Sequence, residues 1–200
     1  MYTKIGFTHV VELDPMLLCA ALVDRRAADL VKQYRNFVNG NFFWWKGNGI
    51  YTIGWVYSKG NPLNRRVTDS PVRHGTFMVC RDGQVRAGAF TDRQMEQMEK
   101  ELWFCCQGFN LYPLDIAGEG FTEDVGRSSW RLSIGYNAVK GRVVIAVRPN
   151  SDAQRAVKTM NSLGCEGCAI CLDSGSSVNL VVDGRVKRMT DRTLDNIIFW

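Results

Sequence analysis

Histidine is nearly missing from this 200-residue chain: His9 and His74 are the only two, and they stand far apart. No Gly-x-Ser-x-Gly elbow or matched His/Asp set supports a serine hydrolase. No apolar run approaches the roughly 18 residues of a membrane span. The N-terminus lacks the long apolar segment of a signal peptide. A cytoplasmic protein, or a mature form whose signal was removed, is therefore expected, without a membrane partner. Net charge is only +5. Arg65, Arg66 and Arg73 form one local concentration, and Arg185, Lys187, Arg188 and Arg192 another. They read as solvated surface, weakly favouring anionic ligands and too scattered to indicate nucleic acid. Tandem repeats and domain linkers are lacking too, so residues 1–200 read as one domain.

What is present is apolar: hydrophobic residues make up 46% of the chain and charged residues 22%. That suits a folded core and excludes disorder. The seven cysteines are Cys19, Cys80, Cys105, Cys106, Cys165, Cys168 and Cys171. An odd count fits a reducing compartment better than a disulfide framework. Cys165-x-x-Cys168-x-x-Cys171 has metal-ligand spacing, but no fourth ligand is evident. Small buried hydrophobes are the preferred reading, and no metal or cofactor is expected.

Periodicity predicts strands over Ile5–Leu13, Ile50–Tyr57, Thr76–Cys80 and Gln84–Ala89, the last two flanking an Asp82-Gly83 turn. Lys59–Pro71 reads as a long polar loop. A helix is predicted from Asp24 to about Arg35, with Ala27, Leu30, Val31 and Tyr34 on one face. Thr91 and Gln94 form a capping box for a second helix, with Met95, Met98 and Leu102 inward. Trp103–Leu114 reads as irregular and Asp115–Ser129 as a Gly-rich acidic loop. Leu132–Asn137 and Arg142–Arg148 form a hairpin. Ser151 and Gln154 cap a third helix that Gly164 ends. Strands Cys168–Leu172 and Asn179–Val182 follow, then the Asp183-Gly184 turn, Arg185–Met189 and a closing strand Ile197–Trp200. The expected fold is α+β: a mixed, mostly antiparallel sheet packed with about three helices.

The run Ala169–Ser177 carries the chemistry. A short apolar strand stops at Asp173, and Ser174, Gly175, Ser176 and Ser177 follow. A loop this small exposes backbone N–H groups and lets a sugar or phosphate oxygen approach an acid. A second helix-then-strand unit ends at Asn39-Gly40-Asn41. If both strands share a sheet and a direction, the two loops share an edge.

Four segments, in order, resemble the phosphodiester glycosidase domain family. Asn39-Gly40-Asn41-Phe42-Phe43 is similar to its Asn-Gly-Gly-Phe-Phe. Arg131-Leu132-Ser133-Ile134-Gly135 is similar to its Arg-Thr-Ala-Ile-Gly. Leu172-Asp173-Ser174-Gly175-Ser176-Ser177 is similar to its Leu-Asp-Gly-Gly-Gly-Ser-Ser loop, and Arg192 to Asn196 to its closing Arg…Asn segment. Asn41 and Ser174 replace family glycines, and their side chains could fill space meant for substrate.

The resemblance implies hydrolysis of a glycosyl phosphodiester, with turnover left open by those replacements. The alternative is a binder of a sugar phosphate or nucleotide-derived anion. Asp173 is the central carboxylate, as acid, base or nucleophile, or else the residue that holds its own turn. Arg131 is a phosphate clamp or a buried structural cation, and Arg192 a second clamp. Ser176, Ser177 and Asn179 would donate to ligand oxygens, Gly175 would supply unusual backbone angles, and Gly40 stands with them in the substrate-binding set. Asn39 either meets the ligand or bridges two loops. Asp115, Glu119 and Asp183 are candidates for a second carboxylate. Phe42, Phe43, Trp44 and Trp45 are core residues or a stacking platform.

Overall fold

The computed structural model describes residues 1–46, 49–65 and 70–200. In chain order its strands are β1 (Tyr2–Ile5), β2 (Thr8–Leu13), β3 (Cys19–Arg26), β4 (Phe37–Asn39), β5 (Phe43–Lys46), β6 (Gly49–Thr52), β7 (Val56–Ser58), β8 (Asn61–Asn64), β9 (His74–Cys80), β10 (Val85–Phe90), β11 (Leu102–Asn110), β12 (Ser129–Asn137), β13 (Arg142–Ser151), β14 (Ala169–Cys171), β15 (Leu180–Val182), β16 (Arg185–Arg188) and β17 (Thr193–Phe199). Among the described residues three α-helices join them: α1 (Ala27–Leu30), α2 (Asp92–Met98) and α3 (Ala153–Ser162). A ten-stranded sheet runs β1-β2-β13-β12-β14-β11-β7-β8, with β9 also on β11 and β10 on β9. A five-stranded sheet runs β16-β15-β4-β17-β3, and β5-β6 is a separate hairpin. Every strand pairing among the described residues is antiparallel.

Side-chain alternation explains the layering. Val143, Ile145 and Val147 of β13 enter the core between the sheets, while Val144 and Ala146 face Ala153, Ala156 and Met160 of α3. In β15, Leu180 and Val182 face the same inter-sheet core, and Val181 packs towards Ala27 and Leu30 of α1. Strands covered on both faces read as continuous apolar runs rather than alternating ones. Trp55, Tyr57, Met78 and Leu102 pack with Met95 of α2 in a separate cluster.

Several expectations need correction. The helix expected from Asp24 to Arg35 is only α1: β3 runs through Asp24 to Arg26, because pairing with β17 holds it extended. Trp103–Leu114 is mostly the strand β11, buried along nearly its whole length. Its polar positions disguise it, since Gln107 and Asn110 are buried yet hydrogen-bonded. Gly108 is required there: a Cβ would lie 1.9 Å from the Cys171 carbonyl oxygen. Ile50–Tyr57 is two strands in different sheets, and Lys59–Pro71 contains β8. Residues 66–69 of that segment, Arg66 among them, lie outside the described residues. Asp152, not Ser151, caps α3 by accepting from Arg155 N–H, so the Ser151–Gln154 box does not form. The Thr91–Gln94 box does.

The strands before and after the Asp173 loop belong to different sheets, β14 to the ten-stranded one and β15 to the five-stranded one. The loop is a crossing between layers. β4, which carries Asn39, is likewise not in the sheet of β14. No helix among the described residues is long and apolar enough to cross a membrane.

Ile145 is 1% exposed in the inter-sheet core. Ile145→Ala is expected to cost ~2–5 kcal/mol in urea unfolding. Val139→Ser, at a turn position 98% exposed, is expected to stay within about 0.5 kcal/mol.

Candidate functional site

The end of β4 and the end of β14 meet although they lie in different sheets. Asn39 Nδ2 donates to the Asp173 carbonyl oxygen at 2.6 Å, and Asp173 N–H donates to the Gly40 carbonyl at 3.3 Å. Asn39 Oδ1 accepts from Asn179 N–H at 3.0 Å. Both ends of the Asn39 amide are thus spent on the two sides of the crossing loop. Asn179 is fully buried, donating to Ser177 O and Thr190 Oγ1 and accepting from Thr190 N–H. Gly40 passes so close to Asn196 that a Cβ would lie 2.1 Å from Asn196 Oδ1.

Beside this junction is an open cleft of about 340 Å³, lined by Asp173, Ser174, Gly175, Arg131, Ser129, Val125, Asp124 and Phe42. Asp173 is 9% exposed at its edge. One carboxylate oxygen accepts from Ser174 N–H at 2.9 Å. Burial pushes its pKa up to about 6, against the hydrogen bond from Ser177 and the positive charges of Arg192 and Arg131. Gly175 has φ +70°, and nothing lies within 4 Å of where a Cβ would stand. Arg192 Nη1 donates to Ser176 Oγ at 2.9 Å and Ser177 Oγ at 3.0 Å, and its guanidinium lies 5.0 Å from the centre of the Phe43 ring. A cation is therefore held by two hydroxyls and a ring, near enough to oppose the rise in the Asp173 pKa, although Arg192, Ser176 and Ser177 are not among the residues that line the cleft.

Arg131 is 2% exposed. Its Nη1 donates to Val125 O at 2.7 Å, Nη2 to Arg127 O at 2.6 Å and Nε to Ser151 O at 3.4 Å, and the group sits over Phe109. The guanidinium thus pins the 123–127 turn that forms one wall of the cleft. The two residues that stand where the resembled family has glycine differ in setting: Asn41 turns inward, whereas Ser174 lines the cleft. Asn41 donates to Ile53 O and Trp55 O and accepts from Gln107 N–H, tying the chain after β4 to β11. Ser174 Oγ donates back to Leu172 O at 2.8 Å.

None of the three carboxylates considered as a second acid lines this cleft. Asp115 accepts from Gly118 N–H within its own turn. Glu119 accepts from Gly75 N–H and Asn110 N–H, and burial raises its pKa to about 7. Asp183 occupies a turn with φ +53°. The carboxylate that shares the cleft is Asp124, which pairs with Arg127 at 2.8 Å. Sequence reading missed it because nothing distinguishes it within an acidic loop. Phe42 packs on Phe121 and Phe109 beside the cleft; Trp44 is exposed on the β5–β6 hairpin, and the Trp45 side chain lies outside the described residues. Cys171 donates into the sheet to Leu132 O and Cys165 to Leu163 O. Among the described residues no group of three or more His, Cys, Asp or Glu side chains is placed to hold a metal ion.

No family model and no curated protein sequence matches this chain. Solved structures do. The catalytic domain of zebrafish N-acetylglucosamine-1-phosphodiester alpha-N-acetylglucosaminidase, auto-inhibited by its pro-peptide, superposes with a TM-score of 0.77 at 15% identity, over 96% of this chain and 76% of that one. A hypothetical protein from Synechocystis gives 0.61 at 12% identity, over 100% and 60%. A putative exported protein from Burkholderia pseudomallei gives 0.59 at 12%, over 96% and 73%. These likenesses show a related fold.

A carboxyl whose pKa is raised on folding, from 3.8 to about 6, withdraws stability as pH climbs through that window, and the loss persists above it. Asp173→Asn is therefore expected to be more stable than the parent at pH 7.5, by ~1–3 kcal/mol in urea unfolding. The gap should close below about pH 4.

Proposed function

We propose that this protein hydrolyses a glycosyl phosphodiester in the cleft beside Asp173. The observation that carries this reading is one chain of contacts: a buried carboxyl whose pKa is raised to about 6 is hydrogen-bonded by Ser177, whose hydroxyl, with that of Ser176, also holds Arg192. The fold likeness to an enzyme named for a sugar-1-phosphodiester supports it. The substrate would set its phosphate against Arg192 and its anomeric carbon towards Asp173. Ionised Asp173 then takes a proton from a water that attacks the anomeric carbon, or attacks that carbon itself before water releases the sugar. Either way the bond between the anomeric carbon and the phosphate oxygen breaks, and the phosphate leaves as an anion needing little protonation. Arg131 acts at one remove, fixing the wall that carries Val125 and Asp124. Asn39 and Asn179 hold the loop in place.

A second reading is a binder of a sugar phosphate or nucleotide-derived anion. It is favoured by the internal use of Arg131, Asn39 and Asn179, which leaves few polar side chains to face a ligand.

The two readings separate by mass spectrometry after incubation with UDP-N-acetylglucosamine, other sugar phosphodiesters and cyclic dinucleotides. New products are expected from the parent, with rates rising through about pH 6 as the carboxylate forms. Asp173→Ala should lose on the order of 10²-fold or more of that rate, and Arg192→Ala should raise KM more than it lowers kcat. Intact ligand released on denaturation, without product, would favour the binder. No product and no retained ligand from any of these compounds would overturn both.

A further inference from the structure

The margin where the two layers meet at β1 and β16 gathers positive charge. β1 ends the ten-stranded sheet and β16 the five-stranded one. In the β1–β2 pair, Tyr2 stands opposite Val11 and Lys4 opposite His9. Val11 belongs to the inter-sheet core and Tyr2 packs against it, so strand alternation turns Lys4 and His9 to that side as well. Tyr2 Oη and His9 Nδ1 are hydrogen-bonded at 2.8 Å, with their rings stacked. On the other layer Arg188 stands opposite Leu180 of the same core, whereas Val186 stands opposite Val181 on the α1 side. The register slips between them, so Lys187 is an extra residue with no partner across the ladder. A bulge re-aims a side chain, and here Lys187 Nζ comes to 4.6 Å from the centre of the Tyr2 ring. Arg188 lies over Trp130 at 4.9 Å.

Cations from two sheets thus converge without a counter-charge. Among the described residues none of Lys4, Lys187 and Arg188 pairs with a carboxylate, and the buried Arg188 Nε has no hydrogen-bond acceptor. Lys4 and Lys187 both act on His9: after burial, they push its pKa below the ordinary value. Edge protection accounts for a bulge and an inward lysine. It does not require cations of both layers to share one imidazole. Holding like charges together costs free energy that a bound anion would offset.

We propose that this margin is an anion site separate from the Asp173 cleft, taking a phosphate group between Lys4 and Lys187 with Arg188 beside it. A phosphate dianion balances the two lysines, which grip it as point charges. The Tyr2 and Trp130 rings hold Lys187 and Arg188 in place without neutralising them. None of these residues lines the Asp173 cleft, and the site is independent of the reaction proposed there.

The test follows the two histidines of the chain by NMR in an Arg192→Ala background, where the cleft has lost its proposed phosphate clamp. Inorganic phosphate is compared with sodium chloride at equal ionic strength. With phosphate the His9 pKa should rise by about 1, whereas His74, which lines a different cavity, should not respond. Lys187→Met should weaken phosphate binding about fivefold, and Lys4→Met/Lys187→Met by about tenfold or more. Both variants should raise the His9 pKa in the absence of phosphate, a sign that the fold and the local geometry are intact. Lys140 pairs with Glu12 instead, and Lys140→Met should bind phosphate as the background does. An equal His9 response to chloride and phosphate would overturn the proposal, as would unchanged phosphate affinity in the double variant. Neither result depends on turnover at Asp173, so the two proposals fail separately.

Discussion

One buried side-chain amide joins the two sheets at the point where the cleft forms. Asn39 donates to the Asp173 carbonyl and accepts from Asn179 N–H, so β4, the end of β14 and the start of β15 are held by a single residue. Two more amides extend the junction: Asn41 reaches the chain entering β7 and β11, and Asn196 accepts from Asn41 N–H. A buried amide left half-satisfied costs more than it contributes. These three have partners at both ends, and that fixes how the layers register. Hydrophobic packing alone is non-directional and would let the sheets slide.

Against that rigid junction the Asp173 carboxyl is an unfavourable element. Its main chain is well bonded, whereas its side chain is desolvated and opposes ionisation. A buried carboxyl that a neutral amide would replace at lower free energy is a local conflict in an otherwise consistent sequence, and such conflicts concentrate at functional sites. Arg192 limits the conflict without removing it, because its hydrogen bonds go to Ser176 and Ser177.

Much of this was legible in the residues. The apolar run of β13, paired in a hairpin with β12, the end of α3 before Gly164 and the Thr91–Gln94 box each express one local rule, and each stands where its rule puts it. The strand-end acid and its small polar loop were legible for the same reason. What escaped was set by tertiary pairing. β3 is extended through a helix-like segment because β17 holds it, and β11 hides behind buried polar residues whose partners are distant in sequence. The division of β14 and β15 between sheets leaves no local trace. Nor does the inward turn of Asn41, whose side chain is spent on Ile53, Trp55 and Gln107. Asp124 becomes visible only once Arg131 has folded its turn against the cleft.

The crossing loop gives the cleft an unusual mechanical position. Asp173 follows the last residues of the ten-stranded sheet, and Arg192 directly precedes β17 of the five-stranded sheet. A molecule gripped by both would fasten one layer to the other, much as a rivet holds two plates. Its binding free energy would then add to the cost of separating the layers, not merely of loosening a loop. Slow amide exchange in the centres of both sheets, far from the cleft, would register its arrival.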